Sequence, residues 1–335
     1  MKLHQIAKLC GVSTATVSNV LNGTGKVGQA RREQISQLLR ENGYEPTNPD
    51  SLSRQKTHRR IRLFCAELDI LRTDLFTNSL LEGVLSEARA HGYDLAVTPV
   101  ERDEEGRCHT PFAPGLEADG LIIVNPRENE AYLEPVRRAK IPYVIVGRPS
   151  AHRMNVNYVD VDNEALIYNA ASYLLGRSHR DILLLTGPED YTNSADHAEG
   201  FRMAMRAHDH APGEDFLRAS EYSIESARQT IAQVLRESRP LTAVIACSDM
   251  LAIGALQAIG DAGLKVPKNV SLLCASETLL TAIHPRITGY DTNNAMMGQQ
   301  ATRMIIDIIE RRLIKPTHVH VPFVLHERDS VESLA

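Results

Sequence analysis

The chain has 335 residues, of which 43% are hydrophobic and 24% charged, and its formal net charge is −5. This composition is typical of a soluble globular protein of about two domains. No apolar run approaches the ~18 residues of a membrane-spanning helix. The N-terminus has no apolar segment followed by a cleavage site, so we expect a cytoplasmic protein without an export signal. Five scattered cysteines predict buried free thiols rather than disulfides or a zinc site.

The charge is distributed unevenly along the chain. The first 60 residues carry ten Lys and Arg against four Asp and Glu, a net charge of +6. The remaining residues carry 27 against 38, a net charge of −11. A basic head on an acidic body favours a polyanionic partner that binds the head alone. A basic solubilising tail is the alternative, and the helical patterning of the head argues against it.

Three short segments of the head have apolar residues at helical spacing. Gly11 interrupts the first pattern, Ser13 is a good N-cap for the second helix, and Asn42-Gly43 is a stop signal for the third. A glycine turn between the first two helices predicts a helix-turn-helix unit over residues 1–45. The outward face of the second helix carries short polar or methyl-bearing side chains that can approach base edges. These residues are Thr14, Ala15, Ser18 and Asn19.

Residues 23–28 spell G-x-G-x-x-G, a pattern known from dinucleotide-binding proteins. That fingerprint must follow a strand and open a helix inside a βαβ unit, whereas here it follows a helix. We therefore interpret the segment as a loop whose Lys26 and backbone amides meet DNA phosphates. The next segment, residues 46–60, is polar and basic with two prolines, and it predicts a hinge linker between head and body.

From Ile61 onward, short apolar runs alternate with amphipathic helical stretches. This alternation predicts two α/β lobes with doubly wound parallel sheets, and a ligand cleft at the carboxyl ends of the strands. The predicted buried strands are Ile61–Leu68, Asp94–Val100, Gly120–Asn125, Pro142–Gly147, Asp181–Thr186, Thr242–Cys247 and Val270–Ala275.

No catalytic or metal-binding constellation is found in the sequence. His318 and His320 share one face of a strand, but they lack a third ligand nearby, so no metal site is predicted. There is no G-x-S-x-G motif, no P-loop and no Cys/His pair of catalytic form. We therefore expect a protein that is not an enzyme and needs no cofactor.

The segment Ile6–Gly23, I-A-K-L-C-G-V-S-T-A-T-V-S-N-V-L-N-G, resembles the head of the LacI/GalR family of bacterial transcriptional repressors. The family most often has Arg where this chain has Asn19. Because Arg pairs with guanine and Asn with adenine, we expect an operator that differs at that base pair. The resemblance implies that Thr14, Ala15 and Asn19 read bases, and that Ser13, Thr16, Ser18, Asn22 and Lys26 hold phosphates.

The hinge matches the family only loosely. In the family a short helix here folds on DNA and inserts a leucine into the minor groove. Leu52 is the candidate wedge, although Pro49 interrupts the usual pattern of small residues. A plain disordered linker is the alternative, and both interpretations stay open.

The body also carries family motifs in the family's order. The resemblance implies a periplasmic-binding-protein-like fold over residues 61–335, with lobe 1 at about 61–158 plus 291–320 and lobe 2 at about 160–289 plus 321–335. It also implies three crossovers between the lobes. The matching motifs are Val146–Pro149, Asp160–Asn163, Thr186–Pro188, Glu199–Phe201, Ser248–Gly254 and Arg328–Ser330.

Matching these motifs gives candidates for an effector site. At two positions the usual charged anchors are missing, since His197 stands for an Arg and Ser276 for an acid, with Glu277 following it. His197 brings possible pH sensitivity, and Asp249 is interpreted as a helix cap. Residues 101–116 have two prolines where relatives have a helix, so a loop or broken helix is expected. The effector candidates are Phe76, Asn78, Arg148, Asp162, His197, Tyr222, Ser248 and Ser276.

The sequence therefore predicts a cytoplasmic, nucleoid-associated repressor that binds a pseudo-palindromic DNA operator as a homodimer. A dimer is favoured over a tetramer because no C-terminal leucine heptads are present. A small molecule, a sugar or sugar derivative by resemblance, would control it, with a purine or nucleoside as the alternative. A sugar-binding transport receptor and an enzyme on the same scaffold are the rival classes.

Overall fold

A computed structural model describes residues 2–21, 27–42, 44, 59–65, 75–99, 118–127, 133–149, 155–210, 216–237, 240–278, 280–313 and 315–334. The chain divides into two compact units, a head over Met1–Arg59 and a body over Arg60–Ala335. None of the described helices is long and apolar enough to cross a membrane. Several predicted features lie outside the described residues, namely Asn22, Lys26, Leu52, the 101–116 segment and most of the 23–28 motif.

The head contains three helices, as predicted. They are α1 (Leu3–Leu9), α2 (Thr14–Leu21) and α3 (Gln29–Glu41). Gly11 lies between α1 and α2 with a φ of 62°, a backbone conformation that glycine adopts without steric cost. The three helices share one small core, formed mainly by Ile6, Ala7, Cys10, Val17, Val20, Ile35 and Leu39.

In the body, strands alternate with helices along the chain, and the predicted α/β architecture is confirmed. All seven predicted buried strands are present, and so is β11, the strand expected at His318 and His320; the prediction omitted β5, β7, β10 and β12. The strands are β1 (Arg60–Cys65), β2 (Asp94–Pro99), β3 (Gly120–Val124), β4 (Tyr143–Val146), β5 (Asn157–Val161), β6 (Ile182–Thr186), β7 (Leu217–Ala219), β8 (Ala243–Ala246), β9 (Ser271–Cys274), β10 (Thr288–Asp291), β11 (His318–Val321) and β12 (Val324–His326). The helices are α4 (Leu75–Ala90), α5 (Leu133–Ala139), α6 (Asn163–Leu175), α7 (Thr192–Ala207), α8 (Ile224–Arg236), α9 (Asp249–Asp261) and α10 (Asn294–Ile309), with a 3-10 turn at Leu280–Ala282.

The strands form two six-stranded sheets. Sheet 1 has the order β11-β5-β4-β3-β1-β2 and is parallel throughout. Sheet 2 has the order β12-β10-β9-β8-β6-β7 and is parallel except for the β10–β12 pair. Every residue of β3 and of β6 is buried. Continuous apolar strands of this kind are typical of parallel sheets covered by helices on both faces.

The chain crosses between the sheets three times. It leaves sheet 1 between β5 and α6, returns between β10 and α10, and crosses again between β11 and β12. Helix α10 packs on β3, β4 and β5, so it belongs to the first sheet although it follows a strand of the second. We call sheet 1 with α4, α5 and α10 lobe 1, and sheet 2 with α6 to α9 lobe 2.

Two glycines allow α4 and α10 to approach each other closely in lobe 1. A Cβ atom on Gly83 would lie 1.9 Å from the carbonyl oxygen of Ala295, and one on Gly298 would lie 2.2 Å from that of Leu80. Both contacts are with backbone atoms of the opposite helix, which cannot turn aside as a flexible side chain could. The tight packing of this helix pair therefore depends on the absence of side chains at both positions.

We expect Gly298→Ala to lower the free energy of unfolding of the body by about 1–3 kcal/mol, because the added methyl group overpacks the α4–α10 contact. Gly260→Ala in α9 is the matched control, since a Cβ there meets nothing within 4 Å. Alanine at this helical position should be neutral or slightly stabilising. Urea unfolding followed by circular dichroism measures both variants. Equal stability of the two would contradict the packing argument.

Candidate functional sites

Helix α2 of the head begins at a side-chain cap. The Ser13 hydroxyl accepts a hydrogen bond from the Thr16 backbone N–H at 3.1 Å, which confirms the predicted N-cap. The same hydroxyl lies 2.8 Å from the Thr16 hydroxyl. The two side chains expected at DNA phosphates therefore also organise the first turn of the helix.

The predicted base-reading residues lie on the outer face of α2. Thr14, Ala15 and Asn19 are exposed, and Thr16 and Ser18 are half-buried. The opposite face of α2 is in the head core. One face of α2 thus packs into the core of the head, and the other face presents short side chains that could enter a groove of DNA.

In the body, loops from both lobes meet at what we call the interlobe junction. It is formed by residues 125–127 and 147–149, which follow β3 and β4 of lobe 1, and by residues 187–197, which follow β6 of lobe 2. Two side-chain contacts join the lobes here: Arg127 Nη1 donates to Asp190 Oδ2 at 2.8 Å, and Arg148 Nε donates to Asp196 Oδ2 at 2.7 Å. The Thr192 hydroxyl also donates to the carbonyl oxygen of residue 148 at 2.5 Å.

Arg148, a predicted effector contact, is bound by a protein carboxylate. Its Nη2 donates to the second oxygen of Asp196, so that the pair is bidentate. Asp196 is only 5% exposed, and its hydrogen bonds raise the pKa of Arg148. Sequence reasoning missed Asp196, because the pairing joins two lobes and residues 48 positions apart.

His197 belongs to a buried network at the first crossover. Its Nε2 lies 3.1 Å from Asn163 Oδ1, and Asn163 Nδ2 donates to Asp160 Oδ2 at 3.0 Å and to the Val161 carbonyl at 3.3 Å. Because Nδ2 faces two oxygens, Oδ1 must be the acceptor, and His197 carries its proton on Nε2. The Nδ1 lone pair of His197 is buried and has no hydrogen-bond partner among the described residues.

The two ionisable ends of this network have shifted pKa values. Burial lowers the pKa of His197 to about 4, and burial raises the pKa of Asp160 to about 7. Both shifts favour the uncharged form, as desolvation predicts. His197 is therefore neutral near pH 7, and its charge change falls well below that pH.

Tyr222, the predicted aromatic contact, is half-buried beside the junction. Its hydroxyl accepts a hydrogen bond from Asn193 Nδ2 at 3.2 Å. Its ring packs edge-on against Tyr191 with the centroids 5.8 Å apart. A Cβ on Gly187 would lie 2.1 Å from the Tyr222 ring, so the ring fits only because residue 187 is glycine.

The expectation that Asp249 caps its helix is wrong. Ser248 is the N-cap of α9, and its hydroxyl accepts from the Leu251 backbone N–H at 3.3 Å. Asp249 is the first helical residue, so it lies one position too late to cap, and its carboxylate accepts from the Thr278 backbone N–H at 3.1 Å. The Ser248 hydroxyl, which was predicted to contact the effector, thus caps the N-terminus of α9.

The remaining effector candidates are dispersed. Asp162 caps α6 by accepting from the Ala165 backbone N–H at 2.9 Å, and the Ser276 hydroxyl lies 3.0 Å from that of Thr292. Phe76 packs against the body core, and Asn78 is exposed in the first turn of α4. Of the predicted set, the structure brings Arg148, His197 and Tyr222 to the interlobe junction or its border.

Glu277 does not supply the acid missing at Ser276. It is 4% exposed, and its Oε1 accepts from Arg328 Nη2 at 2.7 Å and lies 3.0 Å from His326 Nδ1. This group ties the end of the chain to lobe 2. His318 and His320 are exposed on β11, and no group of three metal-ligating side chains occurs in the described part of the chain.

The depressed pKa of His197 predicts an acid-sensitive body. In the unfolded chain His197 takes up a proton near pH 6.5, whereas in the folded body it does so only near pH 4. Stability that is present above pH 6.5 is therefore lost as the pH falls toward 4. Between pH 7 and pH 5 we expect the native protein to lose about 2 kcal/mol more unfolding free energy than His197→Gln.

Urea unfolding at pH 7, 6 and 5 measures this difference. His208→Gln, which removes an exposed histidine just beyond α7, should follow the native pH dependence. Parallel pH profiles for the native protein and His197→Gln would contradict the buried neutral state of His197.

Comparison with known proteins places these features in one family. The model for "Bacterial regulatory proteins, lacI family" matches residues 2–47, and that for "Periplasmic binding protein-like domain" matches residues 171–331. The regulator AglR of Rhizobium meliloti is 29% identical over 83% of this chain and 78% of its own length, and CelR of Thermobifida fusca is 24% identical over 98% and 97%.

Solved structures agree with this assignment at the level of the fold. A CelR–cellobiose complex aligns with a TM-score of 0.77 at 24% identity, covering 98% of this chain and 99% of its own. The lac repressor dimer bound to operator and an anti-inducer aligns with a TM-score of 0.71 at 21% identity, covering 99% of each chain. The chain belongs to the LacI family and is a DNA-binding transcriptional regulator.

Proposed function

We propose that this regulator is a repressor that binds a pseudo-palindromic operator as a homodimer, with α2 of each head in the major groove. The exposed face of α2, with Thr14, Ala15 and Asn19, at the end of the chain whose first 60 residues have a net charge of +6, is the observation that carries the proposal. Short side chains allow the helix to come close to base edges, and the positive charge attracts the phosphates around them. We expect the protein to act in the cytoplasm, on the DNA of the nucleoid.

Exposed apolar side chains in lobe 1 support the dimer. Leu85 on α4 is 48% exposed, and Val97 on the edge strand β2 is 40% exposed. The two elements are in contact, and both side chains belong to lobe 1. Apolar side chains on neighbouring elements suit a self-complementary contact about a two-fold axis. The lac repressor relative was solved as a dimer on its operator.

We further propose that a sugar-like effector binds at the interlobe junction and changes the affinity for the operator. The CelR relative was solved with cellobiose, and its fold covers nearly all of this chain. His197 and Tyr222 are the predicted residues best placed to contact such a ligand, one with a free acceptor and the other with an aromatic ring. A ligand that contacts both lobes would bind one lobe arrangement more tightly than another, which is the requirement for coupling to DNA binding.

We expect selection from random DNA to return adenine at the base pair read by residue 19, and Asn19→Arg to change that preference to guanine. An amide matches the two hydrogen-bonding groups of adenine, whereas a guanidinium matches those of guanine. The preference should change by roughly 10-fold or more, the size expected of one bidentate contact. Asn19→Ala is the control and should lose discrimination at this position alone. Recovery of guanine by the native protein would contradict the role of Asn19.

We expect a thermal-shift screen of the full chain to find a stabilising ligand among sugars, sugar acids, sugar phosphates and nucleosides. That ligand should change operator affinity about 5- to 150-fold in a gel-shift assay, the usual range of allosteric coupling. Thr14→Asp, which places a negative charge on the DNA face, should abolish operator binding and leave the thermal shift intact. A ligand that binds the body but leaves operator affinity unchanged would contradict this control mechanism.

A further inference from the structure

Two arginines reach the interlobe junction from lobe 1, and a carboxylate of lobe 2 binds each of them. Arg127 pairs with Asp190 at 2.8 Å, and Arg148 pairs with both oxygens of Asp196, at 2.7 Å through Nε. The Asp190 side chain is 45% exposed, whereas Asp196 is almost fully buried. These four groups are two cations and two anions, so their charges sum to zero and neither arginine is left without a carboxylate.

The pairing of Arg148 decides which ligands can use it. A guanidinium can bind a carboxylate or phosphate through its Nε–Nη2 edge or its Nη1–Nη2 edge, and Asp196 occupies the Nε–Nη2 edge of Arg148. An anionic ligand would either displace Asp196, which leaves a buried carboxylate without its cation, or bind the other edge of a guanidinium whose charge Asp196 already compensates, and both are unfavourable. Asp196 thus competes directly with any anion for this arginine.

Helix α7, which carries Asp196, also carries two uncharged hydrogen-bond acceptors. His197 Nδ1 and Asn193 Oδ1 are buried and have no hydrogen-bond partner among the described residues. The two residues are four positions apart, so they are neighbours on one face of the helix. The hydrogen-bond network holds the His197 proton on Nε2, which leaves Nδ1 as an acceptor only. Both atoms can be satisfied by O–H or N–H donors, and neither can be satisfied by an unprotonated carboxylate or phosphate oxygen.

We propose that Asp190 and Asp196 set the charge class of the effector, so that the junction takes an uncharged polyhydroxyl ligand and rejects those bearing carboxylate or phosphate. The ligand donates hydroxyl hydrogen bonds to His197 and Asn193, while both arginines stay bound to lobe 2. This inference rests on the proposed function only in that the effector binds at the interlobe junction.

Removal of either aspartate charge tests the proposal. Asp196→Asn keeps the shape of the side chain and leaves Arg148 as an uncompensated cation; Asp190→Asn does the same for Arg127 at a more exposed position. Isothermal titration of the full chain at constant ionic strength uses inorganic phosphate and D-glucuronate as anionic probes, with D-glucose as the uncharged parent. We expect each variant to bind the two anions at least 10-fold more tightly than the native protein does.

Two outcomes overturn the proposal. One is a native protein that binds glucuronate more tightly than glucose, or binds either anion as tightly as the variants do. The other is a variant that folds and gains no affinity for anions. If Asp196→Asn fails to fold, Asp190→Asn is the variant that tests the proposal, because the Asp190 side chain is 45% exposed and its substitution does not disturb the buried core.

Two control variants test whether any gain in anion affinity arises at the interlobe junction. Glu199→Gln breaks the exposed Arg206–Glu199 pair, 2.8 Å long and also on α7, and should leave anion affinity unchanged. The double variant Asp196→Asn with Arg148→Gln should lose the gained affinity, and its retention would overturn the role of Arg148. Operator binding is measured on the same preparations, so a failure of the proposed function appears there and leaves the comparison of anion affinities intact.

Discussion

The direction of the parallel strands is the constraint on which the interlobe junction depends. In both sheets the strands run parallel, with β12 as the exception, so the loops after β3 and β4 leave lobe 1 at one end, and the loop after β6 leaves lobe 2 at the end that faces them. The three crossovers then join the lobes without a long linker. Side chains that are distant in sequence, such as Arg148 and Asp196, are brought within hydrogen-bonding distance by this arrangement alone.

Much of the fold could be predicted from local patterns, and the site could be predicted only in part. The apolar runs of β3 and β6 are unambiguous because both faces of the parallel sheets are buried. Short or half-exposed strands such as β7 and β12 have no such pattern, and their position depends on pairing with neighbours. The Arg148–Asp196 pair could not be predicted for the same reason, because only the tertiary structure brings the two lobes together.

Several residues predicted to contact DNA or the effector already make hydrogen bonds that stabilise the fold, and these bonds limit the contacts they can make with a partner. Ser13, Asp162 and Ser248 each satisfy a backbone N–H at the start of a helix. A hydroxyl can still donate its own hydrogen while it accepts from the backbone, so the two serines can contact a partner and cap at once. An ionised Asp162 can only accept, and one of its oxygens is already used. The residue type at a position matched to the family therefore predicts where the residue lies in the fold better than it predicts what the residue binds.

The network at the first crossover offers a physical link between a ligand and the arrangement of the lobes. Asp160 is on the last strand of lobe 1 before the crossover, Asn163 opens the first helix of lobe 2, and His197 is on the next helix. A hydroxyl that donates to His197 Nδ1 would bind a buried atom that has no hydrogen-bond partner among the described residues. Such a ligand satisfies a buried acceptor only while α7 and the crossover keep this geometry. Its binding energy therefore favours the lobe arrangement in which the junction is closed, and does so without disturbing either ion pair.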